Sequence, residues 1–195
     1  MTKKVLVLGE VRDGSLRNVT FEAIAAGSKI ADGGEVVGLL VGDSVKDLAQ
    51  ELVAYGASRV ITVEHPHLKN YTSDGYSQAI LAVVEQENPE AIVFGHTSLG
   101  KDLSPKIASR LQSGLVSDVT DIEGAGEDTV FIRPIYSGKA FEKVKIKDGV
   151  IFATIRPNNI APLAKDGSRS GGVSSVTVDI TNLRTIIKEV VRKST

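Results

Sequence analysis

The stretch Ala91-Ile92-Val93-Phe94-Gly95-His96-Thr97-Ser98-Leu99-Gly100-Lys101-Asp102-Leu103-Ser104-Pro105-Lys106-Ile107-Ala108-Ser109-Arg110-Leu111 decides the fold class. Four apolar residues form a strand, small and polar residues turn the chain, and a helix follows. The helix has an apolar face of Leu103, Ile107, Ala108 and Leu111, with Pro105 expected near its first turn. Ser98 or Asp102 is the expected cap, and the glycines permit a tight turn. Strand–loop–helix transitions are where open α/β sheets place their binding surfaces. Backbone N–H groups at such a helix start attract anions, and Lys101 adds charge. Gly95, His96, Thr97, Ser98 and Lys101 are the candidate ligand contacts, although no cofactor contact is expected in this segment. The stretch lacks the Lys-Ser/Thr ending of a P-loop, so nucleotide hydrolysis is not supported.

Upstream, strands and helices alternate. Val5-Leu6-Val7-Leu8 is a continuous apolar run, the mark of a strand buried on both faces. A helix is expected over 19–31, capped by Asn18 and ended by Gly33-Gly34. Val36 to Val41 and Val60 to Val63 read as strands. A helix starting at Asp43 or Ser44 and stopped by Gly56 separates them. Thr72 or Ser73 caps a long helix closed by Asn88-Pro89. Four consecutive β–α pairs predict a parallel sheet over 4–97 with helices on both faces. The first loop, Gly9-Glu10-Val11-Arg12-Asp13-Gly14, is not G-x-G-x-x-G, and Glu10 would repel a phosphate.

The pattern changes after Gly114. An antiparallel addition is expected after about residue 128. Lys143-Val144-Lys145-Ile146-Lys147 alternates strictly, Asp148-Gly149 signals a hairpin, and residues 150–155 read as its return strand. Residues 165–175 are expected to be a mobile loop, and 176–180 one more strand. Ile186, Ile187, Val190 and Val191 fit either a helix or an extended arm. The segment 184–195 is read as a tail or linker beyond a single domain over 1–183.

Composition excludes several classes. Net charge is −1, which gives no electrostatic case for nucleic acid or an anionic membrane. No cysteine is present, so disulfides, thiolate metal sites and a Cys nucleophile are excluded. The three histidines, His65, His67 and His96, lack metal-cluster spacing. His65-Pro66-His67 reads as an exposed turn, and His96 as a hydrogen-bonded loop residue without an evident carboxylate partner. No catalytic constellation is assigned. No apolar run approaches a membrane span, and the expected location is cytoplasmic.

Three segments resemble the N-terminal domain of the electron transfer flavoprotein alpha subunit. Gly95 to Ala108 is similar to "GHTSxGKDLxPRxA", with Lys106 where Arg is common. Arg133-Pro134-Ile135-Tyr136-Ser137-Gly138-Lys139-Ala140 is similar to "RPxYxGKA", and Thr154-Ile155-Arg156-Pro157-Asn158 to "TxRPN". The resemblance covers nearly the whole chain. It implies a Rossmann-like sheet of the adenine-nucleotide α-hydrolase type. It also implies a partner beta subunit, and FAD held mainly by a following domain whose motifs are not found here. The complete protein would carry electrons from dehydrogenases, such as acyl-CoA dehydrogenases, to an acceptor oxidoreductase. On that reading this chain is scaffold and interface, with Arg133, Tyr136, Lys139 and Arg156 as interface residues and self-dimerisation when isolated. The alternative is a small adenine-nucleotide-binding module using the carboxyl ends of the strands.

Overall fold

The computed structural model describes residues 2–181 and 183. The chain begins with β1 (Val5–Gly9), the two-residue strands β2 (Val11–Arg12) and β3 (Ser15–Leu16), α1 (Asn18–Ala31) and β4 (Val36–Gly42). It continues through a 3-10 turn into α2 (Ala49–Ala54), then β5 (Arg59–Glu64), α3 (Ser73–Glu87), β6 (Ala91–Gly95) and α4 (Ser98–Leu111). The remaining strands are β7 (Gly114–Val119), β8 (Asp121–Glu123), β9 (Val130–Ile135), β10 (Ala140–Val144), β11 (Ile151–Ile155) and β12 (Val173–Ser175).

Seven strands form one sheet in the order β12-β5-β4-β1-β6-β11-β7, and every recorded pairing in it is parallel. The expected parallel sheet over 4–97 is thus its centre, and three later strands extend it. Val5 and Val7 point to a core shared with α1 and α2, whereas Leu6 and Leu8 point to a second core shared with α3 and α4. Both faces are therefore covered, which is why the central strands read as unbroken apolar runs. A separate antiparallel sheet, β10-β9-β8, contributes Ile122 and Phe131 to the first core.

The predicted hairpin at Asp148-Gly149 is not formed. Gly149 does turn the chain, with φ 79°, but the turn lies in a crossover. β10 pairs antiparallel with β9, while β11 enters the main sheet between β6 and β7. Two different causes produced one misleading pattern. Only Lys143 and Val144 of the alternating run lie in β10, an edge strand; Lys145 to Lys147 continue past its end with the lysines exposed and Ile146 half-buried. Residues 151–155, apolar except for Thr154, are every one of them buried. The antiparallel part also starts earlier than expected, at Asp121.

Other boundaries moved for local reasons. Asn18 is the first helical residue of α1 rather than its cap, and Asp32, with φ 49°, closes that helix ahead of the glycine pair. Pro105 sits in the middle of α4, not in its first turn. The tract expected to be mobile is bonded: the Asp166 N–H and the Arg169 guanidinium both donate to the Ala54 carbonyl. It then supplies β12, three residues ahead of the predicted strand. Past β12, Ile180 is buried and Thr181 exchanges two hydrogen bonds with Gln78 on α3. The expected tail, with Ile186, Ile187, Val190 and Val191, lies outside the described residues.

Candidate functional site

The chain passes from β1 to β4 on one side, then returns across the sheet to β6 on the other. The crevice between β1 and β6 is thus the topological switch point, where open α/β sheets bind ligands. Glu10 follows β1 directly, and Thr97 follows β6. Thr97, not Ser98 or Asp102, caps α4: its hydroxyl oxygen accepts from the Gly100 N–H at 3.2 Å. The same hydroxyl donates to Glu10 Oε1, joining the two lips of the crevice. Arg17 Nη1 donates to Glu10 Oε2 at 2.8 Å, and the Glu10 N–H donates to Thr20 Oγ1 at 2.9 Å. Glu10 is only 7% exposed.

The helix start is pressed onto the strand end. A Cβ on Gly100 would lie 1.9 Å from the Gly95 carbonyl oxygen, and one on Gly95 would lie 2.9 Å from Val19. The glycines are there for close packing between elements. No space for a pyrophosphate is left beneath this turn, and a carboxylate already lies there, so these residues do not fit a flavin or dinucleotide phosphate. Ser98 and Lys101 are exposed on the surface of α4. Only Gly95, His96 and Thr97 of the five candidate contacts reach the crevice region.

A second cluster lies at the carboxyl ends of β6, β11 and β7. His96 Nδ1 is 3.0 Å from Thr154 Oγ1, and Nε2 is 3.8 Å from Asp118 Oδ1. The histidine does have a carboxylate neighbour, contrary to the sequence reading. The two residues are joined by a register shift of β11 on β7 between Ala153 and Ile155. At this irregularity Asp118 adopts φ 64°, and its N–H donates to Thr154 Oγ1. Its carboxylate takes both Nε (2.8 Å) and Nη2 of Arg156.

Burial pulls the His96 imidazole below its ordinary pKa; Asp118 opposes this, and Lys101, Arg156 and Arg133 add to it. Burial would raise the Asp118 carboxyl, but the Arg156 bonds and the charges of His96 and Arg133 hold it below the usual range. The cluster pins the ends of three strands: His96 follows β6, Thr154 lies on β11 and Asp118 on β7.

Arg133, Tyr136 and Arg156 converge on one open cleft of about 500 Å³, with Asp118 in its wall. Arg133 donates to the Ser117 carbonyl at 2.8 Å and pairs with Glu142 at 3.1 Å. Tyr136 stands at the tip of the β9–β10 connection and is 77% exposed; Phe141 on β10 is 65% exposed. Tyr136, Ser137 and Gly138 have φ of 51°, 56° and 85° in succession. Lys139 closes the turn and is exposed, outside the cleft lining.

Sequence reasoning missed Glu22. It is 2% exposed on α1 and accepts from the Asn159 N–H at 3.2 Å, while its Oε2 has no partner. Burial raises its carboxyl, against the backbone N–H groups of Asn158, Asn159 and Ile160. It anchors the loop that follows Arg156. The only signal was a charge on the otherwise small and apolar face of a core helix.

A cleft of about 760 Å³ lies over the β2–β3 turn, the loop after β4, and residues 68–71. Tyr76 and Leu99 form part of its wall. Among the described residues, no group of acidic and histidine side chains is arranged to hold a metal, and no helix is long and apolar enough to cross a membrane.

Comparison with known proteins places this geometry in a family. Residues 5–181 match the electron transfer flavoprotein domain. The chain is 61% identical over 194 residues to the electron transfer flavoprotein subunit alpha of Bacillus subtilis, covering 100% of this chain and 60% of that protein. It is 34% identical over 199 residues to the corresponding subunit of Thermoanaerobacterium thermosaccharolyticum, covering 98% of this chain and 60% of the relative. A further relative is the acryloyl-CoA reductase electron transfer subunit beta of Anaerotignum propionicum, 44% identical over 123 residues, covering 62% of this chain and 34% of that protein. This chain spans about 60% of the length of the two alpha subunits. It belongs to the electron transfer flavoprotein family, as a domain of the alpha-subunit kind.

Proposed function

We propose that this domain is the scaffold and subunit-docking unit of an electron transfer flavoprotein alpha subunit, and that the β9–β10 hairpin face meets the beta subunit. The observation that carries this is the display of Tyr136 and Phe141 in water beside the Arg133–Arg156 cleft. Exposed aromatics beside arginines match the composition of interface centres. Residues in sparsely populated backbone conformations cluster at functional surfaces, and two non-glycine residues in succession hold that conformation here. β10 is also an unpaired sheet edge. Arg133, Tyr136 and Arg156 lie on this face, with Lys139 at its rim.

In the complete heterodimer, FAD supplies one-electron and two-electron redox chemistry. The residues at the start of α4 do not fit its phosphates, so no redox step is assigned to them. Their role is to hold the partner while the flavin-bearing part takes electrons from dehydrogenases, for example those of fatty acid β-oxidation, and passes them to an acceptor oxidoreductase. The location is cytoplasmic, and this chain performs no bond chemistry of its own. Without its partner, the same face would support self-association.

Isothermal titration with a purified electron transfer flavoprotein beta subunit tests the docking. Saturable binding is expected. Tyr136→Ala should weaken it by roughly 2 kcal/mol, about thirtyfold, the size of an aromatic hot spot. Full retention of affinity in Tyr136→Ala and Phe141→Ala alike would remove the hairpin from the interface. FAD added to this chain alone should give no saturable change in flavin absorbance or fluorescence. Stoichiometric flavin uptake would instead support the reading as a small nucleotide-binding module in the 760 Å³ cleft.

A further inference from the structure

At the carboxyl ends of β6, β11 and β7, one carboxylate oxygen faces two basic side chains. Arg156 Nε donates to Asp118 Oδ1 at 2.8 Å, and His96 Nε2 lies 3.8 Å from that same oxygen. Arg156 Nη2 donates to Oδ2, so the guanidinium is held at two points. A bidentate pair fixes direction as well as distance. Asp118 is aimed by the backbone beneath it: β11 shifts register on β7 between Ala153 and Ile155, and Asp118 takes φ 64°. Bulges re-aim side chains in this way, and aspartate is among the few residues that visit the left-handed region readily. The Asp118 side chain is 19% exposed, whereas that of Arg156 is 44% exposed and lines the 500 Å³ cleft with Arg133 and Tyr136. The holder is thus largely buried and the side chain it holds faces water.

The imidazole is wired to the same pair. The Asp118 N–H donates to Thr154 Oγ1, which lies 3.0 Å from His96 Nδ1. The neutral ring carries its proton on Nε2, because the other tautomer would aim a lone pair at the Asp118 carboxylate. Nδ1 then accepts from the Thr154 hydroxyl. A second proton, on Nδ1, turns that hydroxyl round, so that Oγ1 accepts from both Nδ1 and the Asp118 N–H. It also makes Nε2–H a charged donor facing Oδ1. The charged groups acting on the ring are Asp118 from β7, Lys101 from α4, Arg156 past the end of β11 and Arg133 from β9. Burial is the chief reason that the imidazole lies below its ordinary 6.5; Asp118 opposes it and the three cations add to it. The second proton therefore arrives below that value.

We infer that Asp118 is the positioning residue of the docking face: its carboxylate holds the Arg156 guanidinium in place for the partner, and a proton on His96 loosens that hold by drawing on the same oxygen. The consequence for docking rests on the reading of the β9–β10 face as the beta-subunit surface; the clamp and its proton do not. With the ring neutral, Asp118 fixes the Arg156 rotamer, so the side chain is ordered before the partner arrives and less entropy is lost on binding. With the ring charged, two cations share one carboxylate oxygen. The cleft then carries an added positive charge beside Arg133 and Arg156, and Arg156 moves more freely. Docking is weaker in acid for that reason. By linkage, a partner that needs the ordered arginine lowers the affinity of His96 for its proton by the same factor.

The test has two arms. In the first, the NMR order parameter of the Arg156 Nε–H is followed in the unbound chain between about pH 7.5 and pH 5, in wild type, His96→Gln and Asp118→Asn. Wild type should be rigid at the upper pH and lose order on acidification. His96→Gln should stay ordered throughout, and Asp118→Asn, which keeps the left-handed backbone accessible, should be disordered throughout. Order that is independent of pH in wild type, that falls equally in His96→Gln, or that survives in Asp118→Asn would each overturn the inference. Should Asp118→Asn fail to fold, His96→Gln decides this arm alone. In the second arm, beta-subunit affinity is measured by calorimetry at the same two pH values. Wild type should bind at least about fivefold more weakly at the lower pH, the lower end of coupling between linked sites, and His96→Gln should lose most of that difference. An equal pH dependence in both would overturn the control of docking. Absence of binding by wild type at either pH, with the first arm as expected, would strike the docking reading while the clamp and its proton stand.

Discussion

Glu87 shows how a single side chain reports on the sheet's amino-terminal edge. Arg59 on β5 bonds both Glu35 and Glu87, and Lys4 lies 3.0 Å from Glu87. Burial would raise the Glu87 carboxyl, but the bonds from Arg59, Gln86 and Lys4 outweigh it and hold the pKa at about 2. The folded value is depressed relative to the ordinary 4.5, so this group stabilises the fold above that value and stops doing so as pH falls through about 2. Glu87→Gln should therefore cost about 1.5–3 kcal/mol at neutral pH. The difference from wild type should shrink as the solution is acidified. Urea titrations across that range check both the size and the direction; a cost independent of pH would deny the ionic origin. None of this network was legible beforehand, because its members come from four separate segments and only the sheet registers bring them together.

At the scale of elements, the turn between β9 and β10 is the least comfortable part of the described chain. Two consecutive non-glycine residues in the left-handed region cost roughly 1–2 kcal/mol each. Ser137→Gly removes that penalty at one position without touching the aromatic display. It should stabilise the isolated domain by about 1 kcal/mol, seen as a rise in Tm, and leave beta-subunit affinity close to wild type. A lower Tm would mean that the Ser137 side chain contributes a contact the structure does not show. Helix ends were readable where a polar residue stood directly before an amphipathic run: Thr72 was among the two expected caps of α3, and its oxygen accepts from Gly75. The cap of α4, expected at Ser98 or Asp102, is Thr97, since Thr97 and Ser98 offer equivalent hydroxyls and only the bond to Glu10 distinguishes them. The lysine-rich alternation before Asp148 marked a segment with one wet face, of which only Lys143 and Val144 belong to a strand. Its partner was wrong, because an exposed edge and a buried central strand are consecutive in sequence and in different sheets.

For the whole molecule, the parallel order of the central strands followed from their unbroken apolar runs, and the three family motifs fell at the carboxyl end of β6, on the β9–β10 hairpin and at the end of β11. The insertion of β11 between β6 and β7 was not legible, since strand neighbours 36 or more residues apart leave no local pattern. The candidate site was legible only in part: the motifs located His96, Arg133, Thr154 and Arg156, but not Asp118, which pairs with Arg156 and faces His96. Hydrogen exchange of the domain with and without a beta subunit tests the docking claim most directly. The account predicts slowed exchange concentrated in the β9–β10 hairpin and the loop after β11, with the β2–β3 turn and the loop after β4 unchanged. Protection confined to those latter segments, with the hairpin exchanging at its free rate, would contradict it.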